Sequence, residues 1–138
     1  MIVYLFSTND IQPDQLTGFF VGWSNPPTPE THLRLLQNSA EVILALDQET
    51  NQIVGFVSAI TDGVLTAYIS LLEVLPAYQG RGIGYELMHQ MLVRLDKFYM
   101  IDLLCDAPLQ PFYEALGMQQ ATGMLRRNYE RQDGSSSF

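Results

Sequence analysis

Apolar residues along the chain recur with two different periods, and the switches between them mark out the elements. Ile2, Val3, Tyr4, Leu5 and Phe6 crowd the start and predict a first strand over residues 1–6. Leu16, Phe19, Phe20 and Trp23 then fall at i, i+3, i+4 and i+7, the spacing of an amphipathic helix, with Asp10 to cap it and Pro13 in its first turn. The run Gly22-Trp23-Ser24-Asn25-Pro26-Pro27 breaks that pattern, and Thr28 before Pro29 opens a second helix carrying Leu33 and Leu36 to about Asn38. From Glu41 the period shortens. Strands are expected over 42–46, 53–60 and 65–74, joined by a turn at 47–51 and by Asp62-Gly63, a hairpin dipeptide.

A glycine-rich loop follows Pro76. Beyond it, Ile83, Leu87, Met91 and Leu95 step by four along a long helix, with Leu92 and Phe98 beside the stripe. Residues 100–105 read as an apolar strand, so the strand 65–74, the helix and this strand form one βαβ crossover with parallel strands. Leu109, Phe112 and Leu116 set a short helix stopped by Gly117, and residues 124–129 a last strand. The fold class expected is α/β (α+β): a mixed central sheet, an antiparallel meander followed by a βαβ crossover, with helices on both faces. Residues 1–130 make a single domain and 131–138 a flexible tail.

Composition narrows the chemistry. Seven basic residues against fifteen acids leave a net charge of −8, a surface that repels nucleic acid and attracts amines. The one cysteine, Cys105, allows no internal disulfide, and with His32 and His89 far apart in sequence no metal site is expected. Neither histidine is assigned a role. The first six residues lack a basic leader and no apolar run approaches a membrane span, so a cytoplasmic protein is expected.

The informative stretch is Leu72-Glu73-Val74-Leu75-Pro76-Ala77-Tyr78-Gln79-Gly80-Arg81-Gly82-Ile83-Gly84. A central strand gives way to a long helix through three alternate glycines. A helix start offers unpaired N–H groups and partial positive charge, and glycine lets a phosphate come close. The Walker pattern is absent, since no lysine follows these glycines, and G-x-G-x-x-G fails because position 85 is Tyr85.

Gln79-x-x-Gly82-x-Gly84 after Leu72-x-Val74-x-Pro76 resembles the acetyl-CoA signature of the GNAT superfamily of N-acetyltransferases, and Pro111-Phe112-Tyr113-Glu114-Ala115-Leu116-Gly117-Met118 is similar to a second segment of that family. The order of elements agrees across nearly the whole chain. The resemblance implies direct acetyl transfer from acetyl-CoA to an amine. It implies that Gln79, Gly80, Arg81, Gly82, Ile83 and Gly84 hold the coenzyme pyrophosphate, and that Leu72, Glu73 and Val74 pair with its pantetheine arm. Tyr113 matches the tyrosine that protonates the departing thiolate. Two positions depart from the pattern: Asp106 stands where many relatives have asparagine, and Tyr68 where protein-acetylating relatives often have a glutamate base.

A base is still needed, because an ammonium must lose a proton before it attacks. Glu73 interrupts the apolar series of Ile69 and Leu71, and a buried carboxylate calls for a partner or a purpose. Either it is the base, or a local bulge turns it toward solvent or an arginine. Acceptor contacts are expected from Trp23, Tyr68 and Asp106, with Ser24 and Asn25 beside Trp23, and Trp23 has a competing place in the core stripe. The expected acceptor is a small-molecule amine. A protein amine and a non-catalytic acyl-CoA sensor are the alternatives, and a homodimer is possible.

Overall fold

The computed structural model describes residues 1–135. Five strands, β1 (Ile2–Leu5), β2 (Glu41–Asp47), β3 (Gln52–Thr61), β4 (Thr66–Val74) and β5 (Met100–Asp102), lie in one sheet in the order of the chain. The pairs from β1 to β4 are antiparallel, and β4 with β5 is parallel. Helix α1 (Pro29–Gln37) precedes β2, α2 (Ile83–Arg94) makes the crossover to β5, and α3 (Gln110–Glu114) follows. This is the mixed sheet that the pattern predicts. Among the described residues no helix is long and apolar enough to cross a membrane.

Two cores sit on the two faces. On one, Leu87, Met88 and Met91 of α2, with Leu95 just past its end, cover Ile43, Val54, Val57 and Ile69. That helix comes close because β3 carries Gly55: a Cβ there would stand 3.0 Å from Leu87 Cδ1 and 3.3 Å from Ile83 Cγ2. On the other face, Leu36 of α1 joins Leu16, Phe19 and Phe20 over Leu44, Ile53 and Phe56. Thr28 caps α1 as expected, its Oγ1 accepting the Thr31 N–H at 3.2 Å, with Pro29 in the first turn.

Three expected elements differ. Residues 10–23 form no α-helix; a single 3-10 turn at Pro13–Gln15 leads into turns in which Gly18, Phe20 and Gly22 take left-handed backbone (φ 91°, 62° and 84°). The apolar spacing there reported burial correctly, since Leu16, Phe19 and Phe20 are all buried, but a turn-rich loop buries them. Strand β5 ends at Asp102, three residues short of the expected end. Residues 124–129 form no strand, because they meet no partner strand among the described residues. The segment expected as a tail from 131 begins with contacts: Gln132 Oε1 accepts the Asn25 N–H at 2.9 Å, and Arg34 Nη2 donates to the Gly134 carbonyl at 3.3 Å. Residues 136–138 lie outside the described residues.

Two irregularities in β4 shape the site. Ser58 faces Leu71 whereas Ala59 faces Ile69, so Ser70 is an extra residue, a bulge. Before it, Ala67 and Ile69 face the α2 core; after it, Leu72 and Val74 do, and Leu71 turns to the α1 core. The inserted residue has switched the faces. Strand β5 pairs only with Thr66, Ala67 and Tyr68, leaving the rest of β4 without a parallel neighbour among the described residues.

Candidate active site

In the loop after β4 the Gln79 N–H donates to the Pro76 carbonyl at 3.3 Å, and the amides of Gly80, Arg81 and Gly82 that follow have no main-chain acceptor among the described residues. A 3-10 turn (Pro76–Tyr78) carries the chain off the strand, and the Gln79 side chain ties back to the Val74 carbonyl at 3.0 Å. Gly80 and Gly82 then take φ of 78° and 81°, and Gly82 is the N-cap of α2. Side chains rarely tolerate that backbone, and a Cβ at either glycine would meet nothing within 4 Å, so the loop opens onto free space. The turn is closed by the Glu86 N–H donating to the Gly82 carbonyl at 3.0 Å. As at any helix start, the N–H groups of Ile83, Gly84 and Tyr85 have no acceptor inside the helix. These features fit a diphosphate: uncrowded amides, a helix N-terminus and a nearby cation. The cation is Arg81, whose guanidinium lies 4.9 Å from the centre of the Tyr78 ring and donates to the Ala77 carbonyl at 3.2 Å. Tyr78 is itself held by its hydroxyl donating to Asp47 Oδ2 at 2.6 Å, a bond that keeps the Asp47 carboxyl below its ordinary range.

Gly84 is where three elements meet. A Cβ there would sit 3.6 Å from Val74 Cγ2 of β4 and 3.8 Å from Phe112 Cζ of α3. The head of α2, the end of β4 and the start of α3 therefore converge. Next to Phe112, Tyr113 is half-buried, its ring edge-on to that phenyl at 4.9 Å. Burial, and secondarily the Cys105 thiol, pushes the Tyr113 hydroxyl above its ordinary pKa, so it holds its proton at neutral pH. A cavity of about 270 Å³ opens beside it, lined also by Leu103, Cys105 and Leu125.

A bulge does turn Glu73, but its carboxylate meets main-chain amides. The bulge puts it on the face of Leu71, opposite Leu72 and Val74, and there its carboxylate accepts the Phe20 N–H at 2.8 Å and the Val21 N–H at 3.2 Å. Among the described residues it finds no arginine; it latches the loop before α1 onto β4 and holds Phe20 in its left-handed turn. That loop walls a cavity of about 360 Å³ with Phe20, Trp23, Pro27, Arg34, Leu71 and Gln132. Trp23 is 39% exposed and packs on Phe20 at 4.8 Å between ring centres, so it lines this cavity rather than the core. Tyr68 lines a different cavity, at β5, and Asp106 is exposed at the start of the turn before α3. The structure does not bring these two to Trp23.

Sequence reasoning passed over Arg34, Gln132 and His32. Gln132 reaches Asn25 from 107 positions away, a pairing no local pattern announces. His32 is 1% exposed and ringed by Phe19, Phe20 and Phe56 at 5.3, 4.8 and 4.5 Å, with neither ring nitrogen hydrogen-bonded among the described residues. That apolar enclosure lowers its pKa to about 4.

The sequence profile of the Acetyltransferase (GNAT) family matches residues 8–118, a span that contains the glycine loop, the bulged strand and α3. The chain belongs to this family. The GNAT chain is 30% identical over 122 residues to an uncharacterized N-acetyltransferase, ycf52, of Porphyra purpurea, covering 83% of this chain and 69% of that one. Among solved structures it is similar to one from Deinococcus radiodurans assigned as an acetyltransferase, at 44% identity and TM-score 0.94, covering 99% of this chain and 94% of that one. It also resembles a GNAT family acetyltransferase from Streptococcus pneumoniae, at 28% identity and TM-score 0.75 over 93% of this chain and 98% of that one. This GNAT protein is an acyltransferase enzyme, and the family implies acetyl-CoA as its co-substrate. Among the described residues, no three His, Cys, Asp or Glu side chains gather as a metal site.

Proposed function

We propose that this chain transfers acetyl from acetyl-CoA to the primary amine of a small molecule, by direct attack without a covalent enzyme intermediate. Acetyl-CoA supplies the activated thioester. The amides from Gly80 to Gly84, with Arg81, hold its diphosphate while Gln79, tied to Pro76 and Val74, fixes the start of the loop, and the unpaired stretch of β4 at Leu72, Glu73 and Val74 receives its pantetheine arm. A backbone N–H there would polarise the thioester carbonyl, a donor aimed at developing charge.

The observation that carries the reading is the placement of two side chains on either side of that gap. Tyr113 packs with the α2 core, whereas Glu73 projects with Leu71 to the α1 side. An amine entering from the α1 side meets Glu73, which takes its proton directly or through water; the thiol leaves toward Tyr113, whose hydroxyl gives up a proton. The Phe20–Trp23 cavity lies on the amine's side, and its size suits a small molecule. Arg34 is its one charged lining residue among those described, which favours an amine that also carries an anionic group.

A thiol-release assay with acetyl-CoA over a panel of amines tests this, with products weighed by mass spectrometry. Amine-dependent release and a product heavier by one acetyl group are expected, greatest for amino acids and other amines with a carboxylate. Release only with lysine-containing peptides, or with no acceptor at all, would contradict it.

A further inference from the structure

A carboxylate stands behind the loop proposed to hold a polyanion, and the acetyl-transfer reading makes no use of it. Asp47 is the last residue of β2 and 7% exposed, at the end of the sheet where β4 runs into the glycine loop. An aspartate that only shapes a turn needs one oxygen. Here Oδ1 accepts the Glu49 N–H at 2.9 Å and opens the connection to β3 in the ordinary way. The second oxygen is committed elsewhere: Oδ2 accepts the Tyr78 hydroxyl at 2.6 Å, from a residue 31 positions on.

A bond that short to an ionised acceptor is of the stronger, charge-assisted kind. It holds the Asp47 carboxyl below its ordinary range, with the Glu49 N–H helping, and lifts the Tyr78 hydroxyl above its own. At neutral pH the pair is a carboxylate and an intact phenol. Tyr78 ends the 3-10 turn just before Gln79, its N–H donates to the Leu75 carbonyl at 2.8 Å, and its ring packs at the margin of the α2 core. Over the face of that ring lies the Arg81 guanidinium, 4.9 Å from the centre.

Anion, phenol and cation therefore stand in series. A carboxylate drawing on the hydroxyl proton makes the ring face more negative, and a more negative face holds a guanidinium more firmly. Arg81 Nη2 donates to the Ala77 carbonyl at 3.2 Å, and a guanidinium has more N–H donors than that one bond uses. We infer that Asp47 and Tyr78 are positioning residues for the coenzyme: they fix Arg81 beside the loop with its remaining donors available to the diphosphate, and so set the preference for acetyl-CoA over a thioester without one. The inference rests on the reading of this loop as the diphosphate site. Repulsion alone predicts the opposite sign, because removing a carboxylate near a polyanion should tighten its binding.

Acetyl-CoA and acetyl-pantetheine, which carries the same thioester without the diphosphate, are titrated into the wild type, Asp47→Asn and Tyr78→Phe by calorimetry and NMR shifts. Each variant should weaken acetyl-CoA about fivefold, the scale of one cation–π contact, and leave acetyl-pantetheine unchanged. In an Arg81→Ala background neither should have a further effect, since residues that act through one group are not additive. Tighter acetyl-CoA binding in Asp47→Asn, equal losses for the two thioesters, or losses that add to that of Arg81→Ala would each overturn the inference. A wild type that binds both thioesters alike would defeat the diphosphate reading and this inference together. A preference for acetyl-CoA kept in full by both variants would defeat the inference alone. Tyr78→Phe keeps the ring and Asp47→Asn keeps an oxygen for the Glu49 N–H, so if circular dichroism shows one of them misfolded the other decides the test.

Discussion

His32 makes this protein acid-sensitive at a definite place. Its imidazole is 1% exposed among three phenyl rings, and neither nitrogen has a hydrogen-bond partner among the described residues. In the folded chain it resists protonation until about pH 4, whereas in the unfolded chain it takes a proton near 6.5. The unfolded state then binds more protons than the native one, so stability is full above about pH 6.5 and is lost as the pH falls toward 4. At about 1.4 kcal/mol per pH unit, the whole descent removes about 3 kcal/mol, a large share of the 5–15 kcal/mol that holds a domain together. Urea unfolding at several pH values between 8 and 4 measures this. The comparison is His32→Leu, which keeps the bulk, forfeits no hydrogen bond and has nothing to titrate. The variant should match or exceed the wild type at pH 8, by about 1 kcal/mol, because an unpartnered buried polar group has been removed. By pH 4 the gap should widen by about 3 kcal/mol; carboxylates common to both chains cancel. Parallel stability curves would refute the reasoning. The proposed function would follow, since His32 packs against Phe20, and Phe20 and Trp23 wall the cavity proposed for the acceptor.

Tyr113→Phe should lower kcat by about 10²-fold, as loss of a general acid does, while leaving coenzyme affinity nearly unchanged in a calorimetric titration; an unaltered rate would remove Tyr113 from the mechanism. Glu73→Gln puts an amide where a carboxylate accepts two main-chain N–H groups, so it should cost about 1–3 kcal/mol in thermal unfolding and raise the acceptor KM. If Glu73 also takes the amine's proton, kcat falls and the acidic limb of its pH profile disappears. An intact limb leaves Glu73 as a latch alone.

Much of this was legible in the sequence because it depends on short-range rules. The caps at Thr28 and Gly82, the four-step stripe of α2 and the loop from Gln79 to Gly84 are each set by residues a few positions apart. The helix expected over 10–23 failed for a tertiary reason: the same apolar spacing is satisfied by turns once Glu73, over fifty positions away, supplies acceptors for the Phe20 and Val21 amides. The bulge at Ser70 reversed the facing of Glu73, and no periodicity can reveal an inserted residue before the partner strand is known. Residues 124–129 read as a strand from composition, yet a strand exists only when something pairs with it. The wall of the cavity proposed for the acceptor was least legible, being assembled from Trp23, Arg34 and Gln132, far apart in the chain.

The account stands or falls on the amides at the head of α2. Calorimetry of acetyl-CoA binding to the wild type and to Gly82→Val tests them most directly, because valine cannot comfortably hold a φ of 81° and its side chain would project into the space the diphosphate needs. One site per chain and a loss of at least about tenfold in the folded variant are predicted. Equal affinity in the two proteins, or no binding to the wild type, would contradict the account.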